Sequence, residues 1–217
     1  MKNHVKILYR WVRIGRRAIT ISLFLPLTFV AACTEEAPVA DYVERPVDEL
    51  YNEALDMLEQ REYNEAAYLF DEVELQHPYS SWATKAQLMS AYSFYQDDEY
   101  DSAIISLDRF VELHPASPFA PYALYLKALC YYEQISDVTR DQKMTELALK
   151  TLKVLSRRFP KSKYAKDAKL KLDLTRDHLA GKEMEIGRYY LTQAQYLAAI
   201  NRFKTVVVKY QSTTHVP

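Results

Sequence analysis

The stretch that decides the fold is Pro78-Tyr79-Ser80-Ser81-Trp82-Ala83, because the chain repeats its pattern twice. The same order of residue types returns as Pro115-Ala116-Ser117-Pro118-Phe119-Ala120 and as Pro160-Lys161-Ser162-Lys163-Tyr164-Ala165. Proline ends a helix because it has no amide hydrogen to donate, and a serine two positions later is a preferred N-cap residue. Each copy therefore predicts the end of one helix and the start of the next.

A second pattern also recurs along the chain: an alanine followed four positions later by a bulky residue. Its copies are Tyr63, Ala66 and Phe70; Tyr100, Ala103 and Leu107; Ala148, Leu152 and Leu155; and Tyr196, Ala199 and Phe203. Residues four apart share one face of a helix. We expect these faces to lie where two helices cross, with small side chains against large ones.

The spacing of the copies predicts the kind of repeat. The prolines are separated by 37 and then 45 residues, near the unit of about 34 residues in tetratricopeptide repeats. The longer interval predicts a polar insertion around residues 136–143, between the two helices of the third repeat. With only 3 glycines in 217 residues, we expect an all-α fold. Residues 47–217 should form a right-handed solenoid of about four stacked helix pairs.

The last helices have their own expected features. The helix that starts after Tyr164 is expected to run on through Gly181 to the region of Tyr190. In the final helix we expect Arg202 to face solvent. The buried face there is expected to consist of Tyr196, Ala199, Ile200, Phe203 and Val207.

The first 32 residues differ chemically from the rest. They hold six Lys and Arg and no acid, and their apolar part, residues 18–32, is short. A membrane-spanning helix needs about 20 apolar residues, whereas a basic start, a short apolar run and small residues at the end are typical of a secretory signal. Residues 1–32 are therefore interpreted as a signal peptide.

The end of this signal, Val30-Ala31-Ala32-Cys33, resembles the lipobox of bacterial lipoproteins. Small side chains fit the signal peptidase, and only a thiol accepts a lipid as a thioether. We expect a diacylglycerol and an N-acyl chain on Cys33 as the only non-protein groups, and a flexible tether over residues 33–46. Thr34, where an Asp would mark retention in the inner membrane, implies an outer-membrane location facing the periplasm. An ordinary signal peptide with an incidental cysteine is the alternative.

Charge and residue pattern argue against several functions. The formal charge of −1 hides a charge of −7 from Cys33 onward, which disfavours binding to nucleic-acid phosphates. His77 and His114 each precede a repeat-ending proline and are expected at helix ends, and Cys130 lies in an apolar run and is expected to be a buried thiol. We therefore predict no catalytic and no metal-binding residue. A murein-active enzyme is the alternative, although the sequence offers it no recognisable nucleophile.

Three short blocks make the pattern more specific than that of a generic tetratricopeptide protein. They are Asp108-Arg109-Phe110, the insertion Asp137-Val138-Thr139-Arg140-Asp141, and Glu185-Ile186-Gly187-Arg188-Tyr189-Tyr190 followed by Asn201-Arg202. From Cys33 to Tyr210 the chain resembles the BamD family, lipoproteins of the β-barrel assembly machinery of double-membrane bacteria. That family continues with a further helical repeat, so we expect a C-terminal repeat to be missing here.

The resemblance implies a non-catalytic scaffold. Its partners would be the periplasmic part of the central barrel subunit, other assembly lipoproteins, unfolded outer-membrane proteins, and the membrane through the lipid. Carried over by match, the partner-binding residues would be Asn201, Arg202, Tyr189 and Arg140, and the peptide groove would hold Tyr92, Phe94, Tyr95 and Tyr125. These rings also suit packing between helices, and the sequence leaves both open. The alternative function is a periplasmic tetratricopeptide adaptor for cell-wall synthesis or proteolysis.

Overall fold

The computed structural model describes residues 43–216, and over that range the chain forms eight helices and no strand. The helices are α1 (Val47–Glu59), α2 (Tyr63–Gln76), α3 (Ser81–Gln96), α4 (Tyr100–Leu113), α5 (Ala120–Glu133), α6 (Lys143–Arg158), α7 (Ala165–Thr192) and α8 (Tyr196–Lys209). Each helix packs against the next one in the chain, and α3 also contacts α1 and α5. This is the arrangement of four stacked helix pairs that the repeats predict.

The predicted crossing points are confirmed by burial. Ala66, Ala103, Ala148 and Ala199 are all fully buried. So are the bulky residues Phe70, Leu107 and Leu152 that follow four positions after the first three alanines. Small side chains at these positions allow the helices of a pair to approach closely.

The three Pro-x-Ser junctions begin their helices in different ways. Ser80 caps α3 as predicted, because its hydroxyl accepts a hydrogen bond from the Ala83 amide at 3.1 Å. Ser117 accepts from the Phe119 amide at 3.2 Å and lies in the turn before α5. Ser162 is not a cap, and its buried hydroxyl has no partner among residues 43–216. The predicted cap was wrong at both Ser117 and Ser162, because α5 and α7 each begin three residues beyond the serine.

The first helices of three repeats, α1, α3 and α7, each end in the same type of turn. Arg61, Asp98 and Ala194 have φ values of 66°, 59° and 56°. The amide of the following residue bonds back five positions, as in Glu62 to Met57 and Gln195 to Tyr190, both at 2.9 Å. This is the Schellman motif, which usually places glycine at the left-handed position. The chain uses non-glycine residues there, a feature that its low glycine content did not reveal.

Helix α7 is continuous through Gly181, as predicted, and has 28 residues. The insertion predicted around residues 136–143 is observed at residues 134–142, and it rests against the middle of α7. His178 Nε2 lies 2.9 Å from the Ser136 carbonyl oxygen, and Lys182 Nζ donates to the Thr139 carbonyl at 2.9 Å. The insertion is therefore part of the packed array.

The predicted buried face of α8 is wrong at three of its five residues. Tyr196, Ile200 and Val207 are 63%, 57% and 53% exposed, whereas Ala199 and Val206 are buried. Helix α8 has apolar side chains on two faces, and only the face toward α7 is covered within residues 43–216. Which face is buried depends on the neighbouring helices rather than on α8 itself.

The predicted signal peptide, Cys33 and most of the predicted tether lie outside the described residues. Arg45, just before α1, is bound to the end of α2. Its amide donates to Gln76 Oε1 at 2.7 Å, and its carbonyl oxygen lies 2.6 Å from His77 Nε2. The end of the tether at Arg45 is therefore attached, and His77 and His114 are the C-cap residues of α2 and α4 as expected. Among the helices of residues 43–216, none has the length and apolar character needed to cross a bilayer.

Candidate protein-binding sites

Five half-buried tyrosines form a row across the first helices of three repeats, and we call this row the tyrosine band. It consists of Tyr92 and Tyr95 on α3, Tyr122 and Tyr125 on α5, and Tyr164 at the start of α7. The ring of Tyr164 lies 5.3 Å from that of Tyr122 and 5.2 Å from that of Tyr125, where the two rings stack. Tyrosines three apart share one helical face, so adjacent helices present their rings side by side.

The hydroxyls of Tyr95, Tyr122 and Tyr125 in the tyrosine band are protonated at physiological pH. Burial raises the pKa of Tyr122 to about 12 and also raises the pKa of Tyr95. Burial, and then a hydrogen bond that its hydroxyl donates to Asp167 Oδ2 at 2.6 Å, raise the pKa of Tyr125. A neutral hydroxyl both donates and accepts hydrogen bonds, and the ring beside it offers apolar area. The band can therefore bind polar backbone and apolar side chains together.

The structure brings together three of the four residues predicted for the peptide groove and separates the fourth from them. Tyr92, Tyr95 and Tyr125 lie together in the band, but Phe94 is only 9% exposed and belongs to the core. Its ring meets Tyr68 edge to face at 6.2 Å. The physical reason is helical geometry, since a residue two positions after Tyr92 points about 200° away from it.

Two members of the band were missed by the sequence analysis, although each left a signal. Tyr122 precedes Tyr125 by three positions and therefore shares its face. Tyr164 is the aromatic residue of the third repeated motif. The motif was interpreted only as helix punctuation, and its ring has a second role in joining α5 to α7.

The predicted partner residues on the last helix pair have different surroundings. Asn201 is exposed on α8, and Tyr189 on α7 is 61% exposed. Arg202 faces solvent only in part, because its side chain is 42% exposed and its guanidinium lies 3.2 Å from Glu183 of α7. The Arg202 side chain therefore lies toward the face of α8 that packs against α7. Phe203 is half-buried on that face, as predicted.

Arg140 lies in the insertion that rests on α7. Its side chain is exposed, and its carbonyl oxygen accepts a hydrogen bond from Lys182 Nζ at 3.1 Å. Lys182 is next to Glu183 in the chain, so the structure brings the Arg140 loop and Arg202 to the same part of α7. Tyr189 lies about 9 Å further along that helix, at 1.5 Å per residue.

The only cysteine among the described residues is buried, as predicted. Cys130 is fully buried, and burial raises the pKa of its thiol to about 12. A thiol must ionise to act as a nucleophile, so Cys130 is unsuited to catalysis. Within residues 43–216, no group of three or more His, Cys, Asp and Glu side chains is arranged to hold a metal ion.

Comparison with known proteins identifies the family. The model of the family YfiO, described as an outer membrane lipoprotein, matches residues 43–217. Among solved structures, MamA from Desulfovibrio magneticus RS-1 matches with a TM-score of 0.42 and 16% identity, covering 77% of each chain. The repeat architecture stands on the helix pairs described above rather than on that likeness.

Three relatives share the name outer membrane protein assembly factor BamD. The protein of Caulobacter vibrioides is 50% identical over 205 residues, which are 94% of this chain and 67% of the relative. The protein of Rickettsia prowazekii is 44% identical and covers 78% of this chain and 68% of the relative. The protein of Neisseria gonorrhoeae is 36% identical, with shares of 91% and 78%. The chain belongs to the BamD family of outer membrane lipoproteins.

Proposed function

We propose that this protein is a non-catalytic scaffold for the assembly of outer-membrane β-barrel proteins. It would be held at the outer membrane by lipid on Cys33 and face the periplasm. Three relatives at 36–50% identity are named assembly factors, which favours this function over the cell-wall adaptor. Other lipoproteins of the same machinery would be further partners.

The tyrosine band is the observation that supports client binding. An unfolded outer-membrane protein presents unpaired backbone groups and, in its strands, alternating apolar side chains. The five tyrosines in one row offer hydroxyls to the backbone and ring surface to the side chains. Repeat proteins bind extended segments along such rows of first helices.

The last helix pair is proposed to bind the periplasmic part of the central barrel subunit. Asn201, Tyr189 and the Arg140 loop offer polar groups there. Leu197 beside them is 80% exposed and Ile200 is 57% exposed. An exposed apolar patch bordered by polar residues is typical of protein interfaces.

The client site is tested by removing hydroxyls without removing rings. The full-length chain with Tyr95→Phe and Tyr122→Phe should bind a labelled terminal-strand peptide of an outer-membrane β-barrel about tenfold more weakly, at roughly 0.5–1.5 kcal/mol per lost hydrogen bond. The matched control is Tyr68→Phe with Tyr79→Phe, two exposed tyrosines outside the band. Fluorescence anisotropy measures both affinities. Equal affinity of the two double variants would remove the tyrosine band from the client site.

A further inference from the structure

The charge of the chain is divided sharply at the start of α6. Residues 43–142 hold 20 Asp and Glu against 6 Lys and Arg, a formal charge of −14. Residues 143–216 hold 6 Asp and Glu against 16 Lys and Arg, a formal charge of +10. The small net charge of the chain conceals this separation, which creates a strong field along the array.

The positive charge is most ordered on the outer face of α6. Lys143, Lys150, Lys153 and Arg157 are all exposed, and they recur at helical spacing along a single stripe that also includes Glu146. We call this stripe the α6 row. From Lys143 to Arg157 it is about 21 Å long, at 1.5 Å per residue.

A groove runs beside the α6 row. It has a volume of about 530 Å³ and is lined by Lys150, Lys153 and Arg157 together with Glu146, Leu149 and Val154. Leu149 and Val154 are half-buried against the core of the third repeat. At 100° per residue they flank the row on opposite sides. The surface therefore combines cations with an apolar border.

The cations of the α6 row have no internal partners. Among residues 43–216, neither Lys150, Lys153 nor Arg157 forms an ion pair. In the acidic half, by contrast, Arg45 pairs with Glu49, and Arg109 and Lys127 pair with Glu74 and Asp108. The row is thus an ordered line of four cations and one carboxylate, that of Glu146, with a formal charge of +3.

We propose that the α6 row binds an acidic amphipathic helix of a partner protein. Carboxylates spaced three and four residues apart on that helix would face the cations, and apolar side chains beside them would contact Leu149 and Val154. Two helices that lie side by side match in this way when their charged positions repeat at the same period. A partner helix of about four turns would cover the row.

The same observations argue against a bilayer as the occupant. A flat anionic surface would meet the cations but would leave the groove beside them empty. It would also repel residues 43–142, whose charge is −14 and which belong to the same stacked array. This inference does not depend on the tyrosine band, and either proposal can fail alone.

The test uses the full-length chain in neutral detergent and a labelled synthetic helix of about 16 residues, with Glu at three- and four-residue spacing and Leu beside them. Anisotropy should show binding that weakens as salt is added. The double variant Lys150→Glu with Lys153→Glu should bind the peptide at least about tenfold more weakly than the parent. The affinity of the neutral double variant Lys150→Gln with Lys153→Gln should lie between those of the parent and the Glu variant. The matched control, Lys204→Glu with Lys209→Glu, makes the same charge change on exposed residues of α8. It should weaken binding less than about twofold.

Several outcomes would overturn the proposal. Equal losses in the two Glu pairs would mean attraction to overall charge, and equal binding of a peptide with Gln for Glu would mean that the carboxylates are not used. The Cys33→Ser chain can also be tested on phosphatidylglycerol vesicles. Vesicle binding that is abolished by Lys150→Glu with Lys153→Glu, but not by the α8 control pair, would assign the row to lipid. Self-association of the parent in sedimentation that is abolished by Lys150→Glu with Lys153→Glu would assign the α6 row to contact with a second copy of the chain. Circular dichroism confirms that each variant is folded.

Discussion

Gly187 on α7 faces Phe203 on α8 so closely that a β-carbon on the glycine would lie 2.3 Å from Cε1 of the ring. Two more ring atoms, Cδ1 and Cζ, would lie 2.8 Å from it. The last helix pair is therefore packed ring against backbone. Only glycine leaves room for the ring at this crossing.

Gly187→Ala is expected to destabilise the protein by about 1–2 kcal/mol. Overpacking at a tight crossing costs roughly 1–3 kcal/mol, and the better helix propensity of alanine returns about 1 kcal/mol at most. The melting temperature, followed by circular dichroism, should fall. Adding Phe203→Leu should restore much of the loss.

Gly181→Ala is the matched control on the same helix. The nearest atom to its new β-carbon would be Nε2 of His215, at 3.3 Å, in the segment after α8. That segment can shift by a few tenths of an ångström, so this variant should melt close to the parent. Equal melting of the Gly187 and Gly181 variants would contradict the packing described here.

Ala194→Gly is expected to stabilise the protein. Ala194 holds a φ of 56° in the turn between α7 and α8. A left-handed conformation costs a non-glycine residue roughly 1–2 kcal/mol, and glycine loses about 0.4–1 kcal/mol more entropy on folding. The net gain should be about 0.5 kcal/mol in a denaturant titration. Ala198→Gly, inside α8, should lose about 1 kcal/mol instead, and a loss at both positions would rule out the strained turn.

Arg202→Glu is expected to lower stability by about 1 kcal/mol. The pair with Glu183 is 3.2 Å apart and partly exposed, so its loss costs about 0.2–1 kcal/mol and the new repulsion adds a similar amount. The exchanged pair Glu183→Arg with Arg202→Glu should regain most of it. Thermal melting distinguishes the two variants.

The exchanged pair also tests the proposed subunit contact without loss of folding. If Arg202 binds the periplasmic part of the central subunit, co-purification of that part should fall several-fold with the exchanged pair. The matched control exchanges Asp173 and Arg176, which lie 3.4 Å apart on α7. Undiminished recovery with both exchanges would exclude Arg202 from the interface.

Cys33→Ser is expected to abolish lipidation, because serine cannot form the thioether. Labelled palmitate should enter the parent and not the variant, and the variant should leave the outer-membrane fraction. Ala31→Gly keeps a small residue in the lipobox and serves as the control. Labelling of the serine variant would refute the lipoprotein assignment.

The sequence predicted those features that depend on local pattern. Proline placed the helix ends, the alanines Ala66, Ala103 and Ala199 marked the crossings, and the absence of a breaker near Gly181 left α7 continuous. Features that depend on a neighbour were not predictable. Apolar residues on two faces of α8 give no sign of which face is covered, and the partner of Arg202 is 19 residues away on another helix.

The candidate client site shows the same limit. The family resemblance suggested Tyr92, Tyr95 and Tyr125, but the stacking of Tyr164 on Tyr125 depends on how α7 approaches α5. Phe94 was named with them and stands between Tyr92 and Tyr95 in the chain. Its burial follows from its direction on the helix, which neighbouring positions in a sequence do not share.

Helix α7 gives the array a mechanical property. It is one rod of 28 residues, about 42 Å long at 1.5 Å per residue, and no proline interrupts it. One end meets the tyrosine band through Tyr164 and Asp167, and the other end holds Glu183 and Gly187 against α8. If the helix moves as one body, a tilt at the end near the proposed client site also displaces the end near the proposed subunit site. On the proposed function, binding of a client would reach the subunit contact through the movement of this one helix.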